Sequence, residues 1–484
     1  MEEIDIEAVT RKSIRGVFAL VSRTFAIQVI GLIANLLLTI FLSPSVFGVY
    51  FVVSAAIAFL QYFSDIGLAA ALIQKKEPIT EEELRTTFTI QQILVISVVA
   101  IALLLSGFVK SFYHLDADGV LLFQALVISF FLSSLKTIPS ILLERDLHFE
   151  KLVIPQIVEN LVFSLVAVIL AAKGFGVASF TYAVLARGIG GVIAIYIINP
   201  WRIGIGFQKN AAKKLLSFGI PFQTNSFLAL IKDDLFIAYL GKVLPLAQVG
   251  YIGFAQKWAF VPLRLIMDNV IRITFPSFSR LQEDKNILRK AVEKSIFAAC
   301  FLIFPSLMGL VVLAPYFVHI IPKYLKWEPA IISLVFFALN AAFSSISTPL
   351  TNALSAIGKI KVTLYLMVFW TVANWAITPL FIVWFGFNGV AYASALIAAS
   401  VVLVVFVVKR YMQFSLLRVV LNPLIATLLM GVAVYFLSGF LAKNIIGVIF
   451  VIGFGAVLYF LTMFALAKNE ILSDIQMVRD NLKR

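Results

Sequence analysis

Lys257, Arg264, Asp268 and Arg272, with Val261 between the first two, step by three or four through an apolar stretch at about 247–271. That spacing puts them on one stripe of a helix. A second apolar stretch at 215–240 is interrupted by Lys232, Asp233 and Asp234. An ionisable side chain in hydrocarbon costs at least ~2.5–3.5 kcal/mol on insertion scales. A membrane helix keeps such groups where water, a counter-charge or a substrate meets them. The stripe is therefore read as facing a hydrated cavity of a transporter. Covalent chemistry has no comparable support: there is no Walker loop, no Ser/His/Asp set and no metal-ligand cluster, and no cofactor is implied.

The elements that carry the stripe follow from composition and hydropathy. Over 484 residues the chain is 61% hydrophobic and 13% charged, with mean hydropathy +1.01. Soluble domains run at about 45–50% apolar and about 25% charged. No hydrophilic run is long enough for a separate soluble domain. The lone Cys300 excludes an intramolecular disulfide framework, and His114, His148 and His319 stand too far apart in sequence to suggest a metal site. About fourteen segments approach the ~20 residues that cross a bilayer core. Their limits are near 17–42, 47–72, 87–108, 119–142, 152–172, 175–198, 215–240, 247–271, 292–313, 329–354, 361–383, 389–409, 418–438 and 444–467.

Lys and Arg fall 27 to 6 in favour of one alternate set of connections. This bias places both termini in the cytoplasm of a multi-pass plasma-membrane protein. The same rule accounts for the net charge of +14 without nucleic-acid binding. The acidic start (Glu2, Glu3, Asp5, Glu7) argues against a signal peptide, and 1–16 reads as an amphipathic cytoplasmic segment. Lys136 sits towards an end of its span and reads as snorkelling to head groups, while Trp201, Trp327 and Trp384 read as interfacial anchors.

An internal repeat underlies the pattern. Pro44-Ser45-Val46-Phe47-Gly48-Val49-Tyr50 resembles Pro245-Leu246-Ala247-Gln248-Val249-Gly250-Tyr251. Gly174-Phe175-Gly176-Val177-Ala178 resembles Gly386-Phe387-Asn388-Gly389-Val390-Ala391, and Pro139 matches Pro349. The shifts of about 201, 210 and 212 residues correspond to one six-helix block, so the blocks are parallel repeats. The expected fold is all-α and polytopic, with about 14 transmembrane helices in two parallel-repeat six-helix lobes plus a C-terminal pair. In order these are an amphipathic segment 1–16, a lobe 17–198, a cytoplasmic linker 199–214, a lobe 215–410, a helix pair 411–467 and a tail 468–484.

The charged stripe opens the second lobe, and the first two helices of the first lobe should answer to it. They carry Thr24, Gln28, Gly31, Asn35 and Thr39, then Ser54, Gln61 and Asp65, with Arg23 deep enough to pair with Asp65. Arg23 and Lys232 line the cavity or snorkel to head groups. Asp233 and Asp234 neutralise Lys232 or carry an ion. Arg187, within Arg187-Gly188-Ile189-Gly190-Gly191, is expected to pair with Glu159 at a close helix contact. Asn340 and Asn374 read as interhelical hydrogen-bonding residues.

Phe63-Ser64-Asp65-Ile66-Gly67-Leu68 followed by Ala71-Leu72-Ile73-Gln74-Lys75-Lys76 resembles the second helix of polysaccharide-transporter flippases. Lys232-Asp233-Asp234, Gly250-Tyr251, Pro262 and the run Phe275-Pro276-Ser277-Phe278-Ser279-Arg280-Leu281-Gln282-Glu283-Asp284 are similar to that family's seventh and eighth helices and the loop after them. Trp327-Glu328-Pro329-Ala330 resembles the start of its tenth helix. The family, of Wzx-type and teichuronic-acid-exporter-like flippases, belongs to the multidrug, oligosaccharidyl-lipid and polysaccharide exporter superfamily. The resemblance implies export of an undecaprenyl-pyrophosphate-linked oligosaccharide by alternating access. In that reading Arg23, Lys232, Lys257 and Arg264 attract the pyrophosphate, and Gln28, Asn35 and Gln61 hydrogen-bond sugars. Asp65, Glu159, Asp233, Asp234 or Asp268 serve ion coupling or charge pairing. The expected partners are the lipid-linked glycan, membrane lipids and glycan-assembly proteins such as a polymerase. A lipid II flippase and a multidrug cation antiporter are the same-superfamily alternatives. A membrane glycosyltransferase or polymerase is the alternative of another class, and it lacks the long external loops it would need.

Overall fold

A computed structural model describes residues 27–62, 67–75, 77–224, 231 and 234–482. All regular structure among them is helical. Eleven helices among the described residues are long and apolar enough to cross a membrane. The expected spans outside this set are 17–42, 215–240 and 247–271. The first two run into undescribed residues, and the third carries the charged stripe. The chain divides into two compact units, Met1–Gly250 and Tyr251–Arg484.

In the first unit the chain runs through α1 (Ile27–Phe41), α2 (Pro44–Tyr62), α3 (Leu68–Gln74), α4 (Glu81–Leu104) and α5 (Ser106–Tyr113). It continues through α6 (Ala117–Ser134), α7 (Thr137–Arg145), α8 (Phe149–Ala172), α9 (Ala178–Ile198), α10 (Lys209–Thr224) and α11 (Asp234–Val243). Polar residues define several helix starts. Thr80 and Glu83 form a reciprocal capping box at α4, and Asp116 Oδ1 accepts from the Gly119 amide at 2.8 Å to start α6. The core is built where α9 packs on α6 and α8, and α2 on α6. There Tyr50 stacks on Phe180 with ring centroids 4.3 Å apart.

Two expected spans are broken in this unit. The stretch 47–72 is divided ahead of α3, where Gly67 adopts φ 74°, a left-handed conformation that favours glycine. The stretch 119–142 breaks between α6 and α7 at Leu135 and Lys136. The Tyr196 hydroxyl donates to the freed Leu135 carbonyl at 3.1 Å, and Asn199 Nδ2 donates to the Pro139 carbonyl at 2.9 Å. Non-helical backbone at membrane depth is tolerated where protein re-satisfies it in this way.

The repeated Pro-to-Tyr motifs meet each other. A Cβ on Gly48 would lie 1.7 Å from the Leu246 carbonyl oxygen, and a Cβ on Gly250 would lie 1.9 Å from the Pro44 carbonyl oxygen. Each glycine thus lets the opposing backbone approach where no side chain fits. The charge-rich connections expected on the cytoplasmic face are also tied down. Lys75 Nζ is 2.7 Å from Glu83 Oε1, Arg145 Nη1 donates to the Leu72 carbonyl at 2.8 Å, and the Gly206 and Gln208 amides donate to Thr89 and Thr86. Trp201 is buried here among Leu72, Phe88 and Ile138 rather than serving as an interfacial anchor. Aromatic enrichment at membrane boundaries does not separate a ring facing lipid from one folded under a linker.

Helix α12 (Leu246–Arg280) begins in the first unit and continues into the second. The second unit then contains α13 (Lys285–Ile320), a 3-10 turn (Leu325–Ala330), α14 (Ile331–Ala356), α15 (Ile360–Phe385), α16 (Asn388–Ala398), α17 (Val401–Lys409), α18 (Leu416–Leu441) and α19 (Ile445–Leu482). Trp327 in the 3-10 turn is fully buried and stacks on Phe254 at 4.3 Å, so it is a core residue and not an anchor. Trp384 is exposed, as an anchor requires. Asn340 bridges α14 to Ser394 of α16. Asn374, by contrast, accepts from Thr378 within α15. The C-terminal pair α18 and α19 packs on α13, where Tyr459 donates to the Phe301 carbonyl at 2.7 Å and Gly431 lies against Met308.

Candidate functional site

Apart from Phe254, the buried residues of α12 from Ile252 to Met267 lie on the side away from the charged stripe. Ile252, Phe254, Ala255, Ala259, Met267 and Phe278 are buried. Lys257, Arg264, Asp268 and Arg272 are exposed. Phe254, one turn before Lys257 and on its side of the helix, is buried against Trp327, and the apolar side is held further along by an Asn352 Nδ2 to Thr274 Oγ1 hydrogen bond of 2.9 Å. Packing one side of the helix leaves the charged stripe open. Lys257 and Arg264 are two turns apart, about 10 Å along the axis. Among the described residues neither has a carboxylate within ion-pair distance. Pro262 lies between them inside the helix, where it removes one backbone donor.

The other expected residues are distributed as follows. Asn35 is only 5% exposed and its carbonyl accepts from Thr39 Oγ1 at 2.9 Å. Gln28 is half-buried and Gln61 exposed. Asp234 is half-buried at the start of α11. Arg23, Asp65, Lys232 and Asp233 lie outside the described residues, so the Arg23–Asp65 pairing does too.

The first unit holds a second polar constellation. Glu159 on α8 pairs with Arg187 on α9, Nε to Oε2 at 3.6 Å, and also with Lys136 at the break between α6 and α7. Lys136 is thus bound inside the unit, with 16% of its side chain exposed, and does not snorkel. It sits inward of the nine-residue α7, about 13 Å of helix. Gly191 makes the arrangement possible, because a Cβ there would come within 2.3 Å of Glu159 Oε1. Beside the break, Gln92 Nε2 donates to Ser134 Oγ at 3.0 Å. The sequence signal for Lys136 was the polar run Ser133-Ser134-Leu135-Lys136-Thr137 inside an otherwise apolar span.

Comparison with known proteins gives these arrangements a setting. The sequence model of a family described as polysaccharide biosynthesis protein matches residues 37–332, more than half of the chain. An uncharacterized membrane protein in the cps region of Klebsiella pneumoniae is 25% identical over 347 residues, 70% of this chain and 70% of that protein. The lipopolysaccharide biosynthesis protein WzxC of Escherichia coli K12 is 24% identical over 74% of this chain and 73% of its own length. Among solved structures, the lipid II flippase MurJ in an inward closed conformation superposes with TM-score 0.76 at 16% identity, covering 93% of this chain and 99% of that one. At that identity the likeness is one of fold.

Proposed function

We propose that this chain, which belongs to the polysaccharide biosynthesis protein family, is a flippase that carries a lipid-linked oligosaccharide across the plasma membrane. The observation that carries the reading is the open face of α12, where Lys257 and Arg264 stand exposed on a helix packed on its other side. A lipid-linked glycan has a tail that stays in the bilayer and a head that cannot cross it alone. Each hydroxyl stripped of water without a partner costs roughly 2–7 kcal/mol, and a phosphate far more. In this reading Lys257 and Arg264 offset the phosphate cost, the sequence expectation adding Arg23 and Lys232, and Gln28, Asn35 and Gln61 offset that of the sugars. The role is transport and not catalysis. Asp65, Asp233, Asp234, Glu159 or Asp268 couples an ion or balances charge.

In this reading fourteen spans form two six-helix lobes and a C-terminal pair, both termini are cytoplasmic, and the lobes rock to give alternating access. Glycan-assembly proteins such as a polymerase receive the product.

The test is reconstitution of the purified protein into liposomes holding a fluorescent undecaprenyl-pyrophosphate oligosaccharide, with lectin access to the outer leaflet as readout. Protein-dependent appearance of lectin-accessible glycan supports the reading. Movement of lipid II alone, or of a cationic dye alone, replaces it with the corresponding alternative.

A further inference from the structure

The Lys136–Glu159–Arg187 cluster borders a cavity of about 370 Å³, which Ser140, Gln156 and Asn160 also line. Its charge is unbalanced. One carboxylate accepts from Lys136 and faces the Arg187 guanidinium at 3.6 Å, so among the described residues the site sums to one positive charge. Glu159 is 8% exposed, whereas 45% of the Arg187 side chain is free. A cluster that only fastened helices together would be served by one cation per carboxylate. An excess cation within a membrane unit calls for an anion.

The surrounding backbone is shaped for a ligand as well. Lys136 stands at the interruption between α6 and α7, with the freed Leu135 carbonyl accepting from Tyr196. Interrupted helices line substrate and ion sites in membrane transporters. Glu159 lies about 15 Å along α8 from its start and Arg187 about 13 Å along α9, so both sit near mid-span. The cavity is ample for a pyrophosphate or a single acidic sugar.

We propose that this pocket is a subsite for an anionic oxygen group, phosphate or carboxylate, on the transported head. The inference rests on the export reading above and adds a place for charge separate from the α12 stripe. The incoming anion takes the Arg187 guanidinium from Glu159, and Glu159 remains on Lys136. Glu159 is then an internal competitor that holds the empty site together and is displaced on loading.

The test uses the full-length protein in nanodiscs of zwitterionic lipid, in a Lys257→Ala and Arg264→Ala background that silences the stripe. Inorganic pyrophosphate and glucuronate are titrated separately by calorimetry. Saturation by pyrophosphate identifies the carrier's phosphates as the source, and saturation by glucuronate alone identifies an acidic sugar. Arg187→Gln is expected to weaken binding at least ~10-fold. Glu159→Gln is expected to tighten it ~3–10-fold by removing the competitor, a direction that a purely structural ion pair does not give. If Glu159→Gln does not fold, the Lys136→Gln and Glu159→Gln double variant decides, since Arg187 alone keeps the site at one positive charge and binding should persist. Saturation by neither anion, indifference to Arg187→Gln, or weaker binding in folded Glu159→Gln or in the folded double variant overturns the proposal. No glycan or carrier lipid enters this measurement, so its failure leaves the export reading standing, and failed flipping in liposomes leaves the subsite standing.

Discussion

Two regions handle intramembrane charge in opposite ways. In the first unit Lys136, Glu159 and Arg187 are drawn together from three places in the chain. In the second, Lys257 and Arg264 share one helix face and, among the described residues, have no ion-pair partner. Removing one member of a buried pair leaves an uncompensated charge, which is strongly destabilising. Removing an exposed, unpaired cation leaves nothing stranded. The first arrangement is therefore bound up with folding whatever else it binds, and the second can lose its charges at little cost to the fold.

The largest expected effect comes from the open stripe. Lys257→Ala with Arg264→Ala should reduce glycan translocation by about 100-fold or more in the liposome assay. Its thermal unfolding should stay within about 0.5 kcal/mol of wild type, as for surface changes away from special features. A large stability loss with unchanged translocation would reverse the contrast. Glu159→Ala should behave the other way, losing about 3–5 kcal/mol in chemical denaturation because two cations lose their common partner. Gly191→Ala sharpens this. Its Cβ would intrude on the Glu159 carboxylate, and about 1–3 kcal/mol of overpacking cost is expected. Tyr196→Phe should be the mildest, about 1 kcal/mol for one lost hydrogen bond to the Leu135 carbonyl, measured in the same denaturation series.

The sequence was most readable where the bilayer dictates the answer. Apolar runs of bilayer length gave most spans because hydrocarbon forces helices and limits their charge. The α12 stripe was visible as period, since one helix carries all its members. Contacts between helices were harder. The Pro44–Tyr50 and Pro245–Tyr251 motifs were recognisable as a repeat, yet nothing in their letters announced that Gly48 and Gly250 each press on the other motif's backbone. Glu159 and Arg187 were expected to pair because the glycines after Arg187 mark a close helix contact. Lys136 escaped because its burial accompanies a helix break, where Pro139 withholds the N–H that the Leu135 carbonyl would take and the Tyr196 hydroxyl supplies a donor instead. Trp327 was misjudged for a related reason. Its burial comes from Phe254, more than seventy residues earlier, and local boundary preferences carry no such information.

The central claim is that the α12 stripe faces water inside the membrane. Cys300, the chain's only cysteine, is buried, so single cysteines can be read in a Cys300→Ala background. Arg264→Cys should react rapidly with a hydrophilic, membrane-impermeant maleimide added to protein in bilayers. Val402→Cys, 73% exposed in an apolar helix, should react only with a membrane-soluble maleimide. If Arg264→Cys instead follows Val402→Cys, its side chain points into acyl chains and the account is wrong.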